Sequence, residues 1–320
     1  MTESRTDRLR ELRRFIEPFR VEPGRKVRLP KDFDPGYTAD FVKKQDAKET
    51  LQRGVQQLAE YQARLAAQDT YGLLVVFQAM DAAGKDGTIK HVMSGVNPQG
   101  VEVSSFKVPS SEELDHDYLW RYARRLPARG MIGIFNRSYY EEVLVVRVHP
   151  QILAGQKMPR KAKGKDVWAR RFREINDWER YLVDNGIHVV KLFLNVSREE
   201  QKERFLARVD DPERNWKFSA ADIRERRYWD DYQKAFAEML AATSTEWAPW
   251  HVIPADRKWF MRIAAGAVIL DKIIDLDPRF PTVSDEARAE MLKARDELLA
   301  EDGQAQADPK ATGQARASRG

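Results

Sequence analysis

Gly84 and Lys85 are the residues whose types and spacing point most directly to a chemistry. They follow an apolar run, Leu73 to Phe77, and a turn of small residues at 81–83. A buried strand that leads through such a turn into a helix brings together backbone N–H groups and the positive end of the helix dipole, and a lysine adds a reachable charge. The arrangement predicts a phosphate-binding loop. The alternative is a chance Gly-Lys pair at the start of a helix.

Two positions depart from the phosphate-loop pattern G-x-x-x-x-G-K-[ST]. Ala79 stands where the first glycine belongs, and Asp86 stands where the hydroxyl residue belongs. That hydroxyl normally coordinates magnesium. Because magnesium prefers oxygen ligands and keeps several waters, we expect a carboxylate, Asp81 or Asp86, to hold the metal directly or through water.

A second polar group, residues 136–141, follows another apolar run at 131–135. A Walker B strand normally ends in an acid that coordinates magnesium, whereas this run is followed by Asn136. Glu141 restores the carboxylate if the chain turns back toward the first loop, and Arg137 can offer a bidentate guanidinium to phosphate. The alternative is that Arg137 and Glu141 pair with each other on a surface loop.

Basic residues cluster in two further places. Arg204 and Arg208 lie one helical turn apart beside a helix break at 210–212. A hinged, arginine-rich connector of this kind, here about residues 198–225, is typical of a lid that closes over phosphates. The run 157–173 holds eight basic residues against one acid. For both clusters the alternative is a solvated helix face.

Five β-rich runs must position these residues, at 73–77, 101–108, 131–135, 188–194 and 250–254. Helical patterns separate them, which indicates βαβ units with right-handed crossovers and a parallel sheet. Ligands of such folds bind beyond the carboxyl ends of the strands. The candidate loops after 77, 135 and 194 all leave such ends.

The ends of the chain differ in composition from its middle. Residues 1–42 are charged and punctuated by prolines, which predicts an arm lying on the surface or on a neighbouring subunit. Residues 43–301 are predicted to form the folded domain. The tail, 302–320, is small and polar and is predicted to be disordered.

Composition excludes several classes of protein. The chain of 320 residues has no cysteine, so we expect neither disulfides nor a thiolate metal site. It contains no apolar run of the roughly 20 residues that a membrane helix needs and no apolar core like that of a signal peptide, so we expect a cytoplasmic protein. The net charge is only +5, which leaves local clustering as the sign of a polyanionic partner.

Five blocks of sequence together resemble the polyphosphate kinase 2 family. They cover about Lys43 to Leu270 in order. The blocks are FQAMDAAGKDGTIKHVMSGVNP, FNRSYYEEVLVVRVHP, WARRFREINDWERYL, RNWKFS with RRYWDDYQKAF, and STEWAPWHVIPADRKWFMR.

The resemblance implies a P-loop kinase-like, three-layer α/β/α fold, similar to thymidylate kinase, with a five-stranded parallel sheet and a helical lid. It also implies phosphoryl transfer between inorganic polyphosphate and nucleotides with Mg²⁺. By position, Asp81 resembles the family's metal-binding loop aspartate, Lys85 its phosphate lysine, and Arg137 its arginine after the second motif.

The residues that depart from the common family pattern indicate a subgroup. Many members carry Asp and Asn at positions 136 and 141, whereas this chain carries Asn136 and Glu141. With Asp86, this is similar to the subgroup that accepts both AMP and ADP. The predicted catalytic residues are Asp81, Lys85, Arg137 and Glu141, of which Asp81 and Glu141 are the predicted metal ligands. The predicted phosphate and nucleotide contacts are Ala82, Ala83, Gly84, Lys85, Asp86, Gly87, Thr88, Asn136, Arg204 and Arg208.

The expected partners are inorganic polyphosphate, AMP, ADP and ATP, with no nucleic acid and no membrane, in a homodimer or homotetramer. Two other functions remain open on the sequence. One is an ATP-dependent nucleoside monophosphate kinase. The other is a non-catalytic protein that binds nucleotides or nucleic acid through its basic run.

Overall fold

The computed structural model describes residues 5–39, 44–213, 215–217 and 219–307. Its five strands form one sheet in which every pairing is parallel, in the order β2-β3-β1-β4-β5. The strands are β1 (Gly72–Ala79), β2 (Val101–Ser105), β3 (Ile132–Asn136), β4 (Ile187–Asn195) and β5 (Trp250–Pro254). The predicted five-stranded parallel sheet is therefore confirmed.

Helices cover both faces of the sheet, which gives the predicted three layers. Helices α1, α2, α3 and α12 pack together on one face, and α8 and α11 pack on the other. The helices are α1 (Arg5–Ile16), α2 (Lys44–Gln68), α3 (Lys85–Val92), α4 (Ser111–Asp115), α5 (Trp120–Ala123), α6 (Val145–Val148), α7 (Pro150–Gly155), α8 (Val167–Asp184), α9 (Arg198–Asp210), α10 (Ala220–Glu225), α11 (Trp229–Thr243), α12 (Lys258–Asp275) and α13 (Asp285–Ala307).

Strand β1 lies at the centre of the sheet, between β3 and β4. Its first seven residues are buried, because helices cover both of its faces, and such a strand reads as a continuous apolar run. Its carboxyl end delivers the loop before α3 into the space between the loops that follow β3 and β4. The order of the strands thus brings the three loops singled out by the sequence to one edge of the sheet.

The N-terminal segment differs from the predicted arm. Helix α1 contacts α12, and beyond it Phe19 and Val21 are buried in the main core. The backbone N–H of Val21 donates to the carbonyl of Trp250 in β5 at 2.9 Å. The sequence did not show this because single apolar residues between prolines fill the core here without any helical or strand periodicity. Residues 1–4 and 40–42 of the predicted arm lie outside the described residues.

The chain divides into two compact units, Met1–Arg279 and Phe280–Gly320, instead of at the predicted boundaries 42 and 301. The second unit contains α13, whose described side chains are almost all exposed. This helix continues to Ala307, so the first six residues of the predicted disordered tail are helical. Residues 308–320 lie outside the described structure.

Two local features bear on the site. The predicted lid at 198–225 consists of α9, a short 3-10 turn at Asn215–Lys217, and α10. A second 3-10 turn, Tyr139–Val143, follows β3 and carries Glu141.

No helix in the described part of the chain is long and apolar enough to cross a membrane.

Candidate active site

The loop between β1 and α3 has the backbone of a phosphate cradle. Gly84, the residue before α3, has φ +107°, a left-handed conformation that side chains with a Cβ rarely adopt. A Cβ there would lie 3.0 Å from the Cε of Met261 in α12. The left-handed backbone conformation therefore favours glycine at this position, whereas the end of the flexible Met261 side chain can shift. Residues 84–87 line the pocket described below.

Arg204 of the predicted lid donates hydrogen bonds to backbone carbonyls of this loop. Its guanidinium donates to the carbonyl oxygen of Ala83 at 2.6 Å and to that of Ala255, after β5, at 2.5 Å, while its Nε donates to Glu200 at 2.8 Å. Only 5% of the residue is exposed. Gln201, one turn earlier on α9, donates to the carbonyl of Asp81 at 2.8 Å. Helix α9 is thus bonded directly to the phosphate loop.

Lys85 extends back along the loop, and its Nζ donates to the carbonyl oxygen of Ala79 at 3.1 Å. Burial lowers the pKa of Lys85 to about 8, an effect that the neighbouring Arg137 increases and the carboxylates of Asp81 and Glu141 oppose. An anionic phosphate beside this amine would favour its charged form. Binding of a phosphate is therefore expected to stabilise the charged form of Lys85.

Arg137 joins the two predicted metal ligands. Its Nη2 lies 2.7 Å from Oδ1 of Asp81, and its Nη1 lies 3.9 Å from Oε2 of Glu141. Its φ of +66° is unusual for a residue other than glycine, and such strain is concentrated at functional sites. Arg137 therefore does approach Glu141, as the alternative interpretation of the sequence had it, but its contact with Asp81 is shorter. The guanidinium lies between the two carboxylates.

The carboxylates suit a magnesium ion. Burial raises the pKa of Glu141, and the charges of Arg137 and Lys85 oppose this rise, so a cation at this place keeps the group ionised. Oxygen ligands from one or two carboxylates, completed by phosphate oxygens and water, are the usual environment of magnesium. The described residues include no group of three or more acidic or histidine side chains able to hold a metal by themselves. Asp81 and Glu141 would therefore supply the protein's ligands for the ion, and water or phosphate oxygens would complete its coordination.

Asp86 and Asn136 form a second contact across the site. The amide of Asn136 donates to Oδ1 of Asp86 at 2.7 Å. Both residues line the large pocket described below, so the position of the missing hydroxyl is taken by a carboxylate held from β3. Thr88 lies elsewhere, because its buried hydroxyl donates to the carbonyl of Gly84 at 3.0 Å and it does not line the pocket.

A pocket of about 1140 Å³ covers the phosphate loop. Because β1 is central, the loops after β2 and β3 wall the pocket on one side, and α9 and the start of α12 wall it on the other. Its basic wall residues are Lys85, Lys107, Arg137, Arg204, Arg208, Lys258 and Arg262. A smaller cavity of about 130 Å³ adjoins it, shares Asp81, Arg137 and Asp222 with it, and is lined by Glu141. The loop residues predicted from the sequence, except Thr88, are thus brought together.

Several pocket residues were not predicted. Lys258 and Arg262 lie one turn apart at the start of α12, and Lys107 follows β2. Their positions just beyond the carboxyl ends of strands were a usable signal. Trp216 also lines the pocket, with 75% of the residue exposed.

The basic run 157–173 does not line the large pocket. Arg171 within it is 1% exposed, and its Nη1 lies 3.2 Å from Oε2 of the buried Glu142. This member of the run therefore neutralises an internal acid.

The fold and the site together define a P-loop kinase-like phosphotransferase. The chain belongs to the polyphosphate kinase 2 family, whose profile, Polyphosphate kinase 2 (PPK2), matches residues 41–281. The family resemblance predicted from the sequence is confirmed.

Individual relatives are similar over nearly their whole length. The chain is 49% identical to the ADP-polyphosphate phosphotransferase of Rhodopseudomonas palustris over 88% of this chain and 97% of that protein. It is 42% identical to the AMP/ADP-polyphosphate phosphotransferase of Meiothermus ruber, over 83% and 96%. The crystal structure of Polyphosphate Kinase 2 from Arthrobacter aurescens TC1 superposes with a TM-score of 0.78 at 40% identity, covering 88% and 96%.

Proposed function

We propose that the protein transfers the terminal phosphoryl group of inorganic polyphosphate to AMP and to ADP, yielding ADP and ATP, with Mg²⁺. Membership of the polyphosphate kinase 2 family supports the donor, and the names of the relatives from R. palustris and M. ruber support the acceptors. The observation that carries the proposal is the joint position of Lys85, Arg137 and Asp81 at a phosphate loop in the middle of one pocket. The pocket extends from the loops after β2 and β3 to α9 and α12, which suits a reaction in which both donor and acceptor carry phosphates.

The proposed reaction forms one phosphoanhydride bond and breaks another. A terminal phosphate oxygen of the nucleotide attacks the terminal phosphorus of polyphosphate, and the bond from that phosphorus to the next bridging oxygen breaks. The leaving group is a polyphosphate shorter by one phosphate. Because the attacking oxygen is already an anion, the reaction needs no strong general base. Catalysis then rests on positioning and on the stabilisation of charge.

Each catalytic side chain has a defined task in this proposal. Lys85 and the N–H groups at the start of α3 bind oxygens of the transferring group, and Arg137 stabilises the negative charge on it. Asp81 and Glu141 would hold Mg²⁺, which would neutralise negative charge on the phosphates. Arg208 remains a proposed phosphate ligand. For Arg204, whose guanidinium bonds to loop carbonyls, we propose a positioning task in place of the predicted phosphate contact.

A defined assay tests the donor. The protein is incubated with AMP, Mg²⁺ and polyphosphate in the absence of ATP, and ADP and ATP are measured by chromatography. We expect both products, and we expect ATP when ADP replaces AMP. Formation of ADP from AMP and ATP without polyphosphate, together with no product from polyphosphate, would instead show an ATP-dependent nucleoside monophosphate kinase.

We also propose that the protein acts in the cytoplasm as a homodimer or homotetramer. The absence of a membrane-crossing helix from the described residues is compatible with this location. Light scattering of the purified protein measures the number of subunits, and fractionation of the cells that produce it tests the location.

A further inference from the structure

Gln78 contacts Glu141, one of the two proposed metal ligands, and takes no part in the mechanism above. It is near the end of β1 and is 0% exposed. Its side-chain amide lies 3.0 Å from Oε1 of Glu141, 3.1 Å from the hydroxyl of Ser138 and 3.2 Å from the backbone nitrogen of Ser138. A buried amide that meets a proposed metal ligand is in a position to fix the direction of that ligand.

The neighbours of the amide determine which end faces which group. The backbone N–H of Ser138 can only donate, so it must meet the amide oxygen of Gln78. The ionised carboxylate of Glu141 can only accept, so it must meet the amide NH₂. Gln78 thus accepts from Ser138 and donates to Glu141, and no other orientation satisfies both contacts.

The backbone of the 3-10 turn Tyr139–Val143 is held by a separate set of contacts. The hydroxyls of Tyr139 and Tyr140 both donate to Oε1 of Glu179 in α8, at 2.6 and 2.7 Å. Since this contact anchors the residues immediately before Glu141, the freedom left to Glu141 is mainly the rotation of its own side chain. The contact with Gln78 acts on that remaining freedom.

Arg137 competes with Gln78 for the same carboxylate. Oε1 of Glu141 meets Gln78, while Oε2 faces the guanidinium of Arg137 at 3.9 Å. Without the amide, attraction to Arg137 and to the nearby Lys85 is unopposed, and the carboxylate turns from the direction in which it would meet a metal. Ligand-orienting contacts of this kind typically change metal affinity by about 10–100-fold.

We propose that Gln78 is a positioning residue that holds Glu141 as a metal ligand and keeps it from pairing closely with Arg137. The inference rests on the proposed function, because it requires Glu141 to bind the metal. In this proposal the last buried residue of β1 orients the side chain of Glu141, 63 residues later in the chain.

The test measures binding of Mn²⁺ to the full-length protein without nucleotide or polyphosphate, by titration calorimetry or electron paramagnetic resonance. Gln78→Met removes the amide at similar volume, and we expect the Kd for Mn²⁺ to rise about 10-fold or more. The matched control is Gln62→Met, which alters another buried glutamine, 2% exposed, on α2 and packed against Gly100. We expect this control to leave Mn²⁺ affinity unchanged, even if it costs comparable stability.

A double-mutant cycle distinguishes positioning from a general loss of structure. If Gln78 acts through Glu141, Gln78→Met has no further effect on Mn²⁺ affinity in a Glu141→Gln background. Independent, additive losses, or an unchanged affinity in Gln78→Met while Glu141→Gln weakens binding, would overturn the inference alone. An unchanged affinity in Glu141→Gln itself would refute the metal assignment of the proposed function and the inference with it.

Discussion

The guanidinium of Arg137 is held between two carboxylates. Its guanidinium lies 2.7 Å from Asp81 and 3.9 Å from Glu141, so a positive charge already stands where the proposed metal would bring another. The same guanidinium is proposed to bind the transferring phosphoryl group. Binding of metal and phosphate is therefore expected to be coupled, because the metal frees Arg137 for the phosphate and the phosphate draws Arg137 from the carboxylates.

The first prediction concerns Arg137→Met. Removing the guanidinium leaves the two carboxylates without their cation, so the affinity for Mn²⁺ in the absence of substrates should rise a few-fold, in line with the roughly 1 kcal/mol of a partly exposed ion pair. Phosphotransfer should fall by about 10²-fold or more, because the charge on the transferring group loses its partner. Metal titration and steady-state kinetics check the two effects. A weaker affinity for Mn²⁺ in this variant would contradict the coupling.

The second prediction concerns pH and Lys85, whose pKa is lowered to about 8 by burial. Between pH 7.5 and 9 the unliganded amine loses its proton, whereas a bound phosphate favours the protonated form. Binding must then take up a proton, so the affinity for polyphosphate should fall as the pH rises through 8, by at most about 10-fold per pH unit for one proton.

Calorimetry at pH 8 in two buffers of different ionisation enthalpy measures the proton uptake. Lys85→Arg is the control, because its guanidinium stays charged throughout this range, and its affinity should vary less with pH. Equal pH dependence in both proteins would assign the titration to another group.

The site residues differ in how far their sequence context predicted them. Lys85 and Gly84 follow a local pattern, and the structure places them as that pattern requires. The positions of Gln78 and Arg204 could not be predicted from local patterns. Gln78 contacts the side chain of Glu141, and Arg204 contacts backbone carbonyls, and these partners are all distant in sequence. For Arg204, spacing alone predicted a position on the lid. Its burial follows from contacts with Ala83 in the loop and with Ala255 after β5, which spacing does not show.

At the scale of elements, the 3-10 turn Tyr139–Val143 is held by a buried ion pair. Nζ of Lys191 in β4 lies 2.6 Å from Oε2 of Glu179 in α8 and donates to the carbonyl of Thr243 in α11 at 2.5 Å. Both side chains of the pair are 0% exposed. The pair, with the tyrosine hydroxyls on Glu179, ties the turn to two helices and a strand.

The third prediction concerns Lys191→Met. Removing Lys191 leaves the buried Glu179 side chain without its charged partner, so the free energy of unfolding should fall by about 3–5 kcal/mol. Replacing both partners, in Lys191→Met with Glu179→Gln, removes the unpaired charge and should recover part of the loss. Denaturant unfolding measures both proteins. A loss below about 1 kcal/mol in the single variant would show that the pair does not anchor the turn.

Most helices and strands could be predicted from periodicity, but this anchor could not. The segment 188–194 was predicted as a β-rich run, and nothing within it marks Lys191 as a buried residue. Glu179 stands among the charged residues of α8, and nothing in the sequence marks it as buried. Buried ionic groups follow from the packing of elements against one another, and the sequence shows each element separately.

For the whole molecule, the small net charge of +5 does not indicate which of the basic side chains a polyanion contacts. Basic side chains line the pocket, whereas Lys161 and Lys165 of the run 157–173 are exposed away from it. Binding of a polyanion releases counterions and weakens with salt according to the number of charges it neutralises. Salt dependence can therefore locate the binding surface.

The fourth prediction compares two sets of changes. Lys258→Gln, in the pocket, should lower the slope of log Kd for polyphosphate against log salt by about 0.7, the value per phosphate contact for single-stranded nucleic acids. Lys161→Gln combined with Lys165→Gln should leave the slope unchanged, because neither residue lines the pocket. Fluorescence titration at several salt concentrations measures the slope. A lower slope in the double variant would extend the binding surface onto the run.

The bonds of Arg204 also set the limits within which parts of this protein can be exchanged with those of a relative. Since its guanidinium bonds to the carbonyls of Ala83 and Ala255, the first half of α9 belongs mechanically to the phosphate loop and to the end of β5. A chimera that takes its lid from another member should be joined after Phe205, so that this half-helix stays with its native loop. A junction placed at the start of α9 would replace the native Arg204 and its bonds to these carbonyls, and the chimera would lose this support of the loop that carries Lys85.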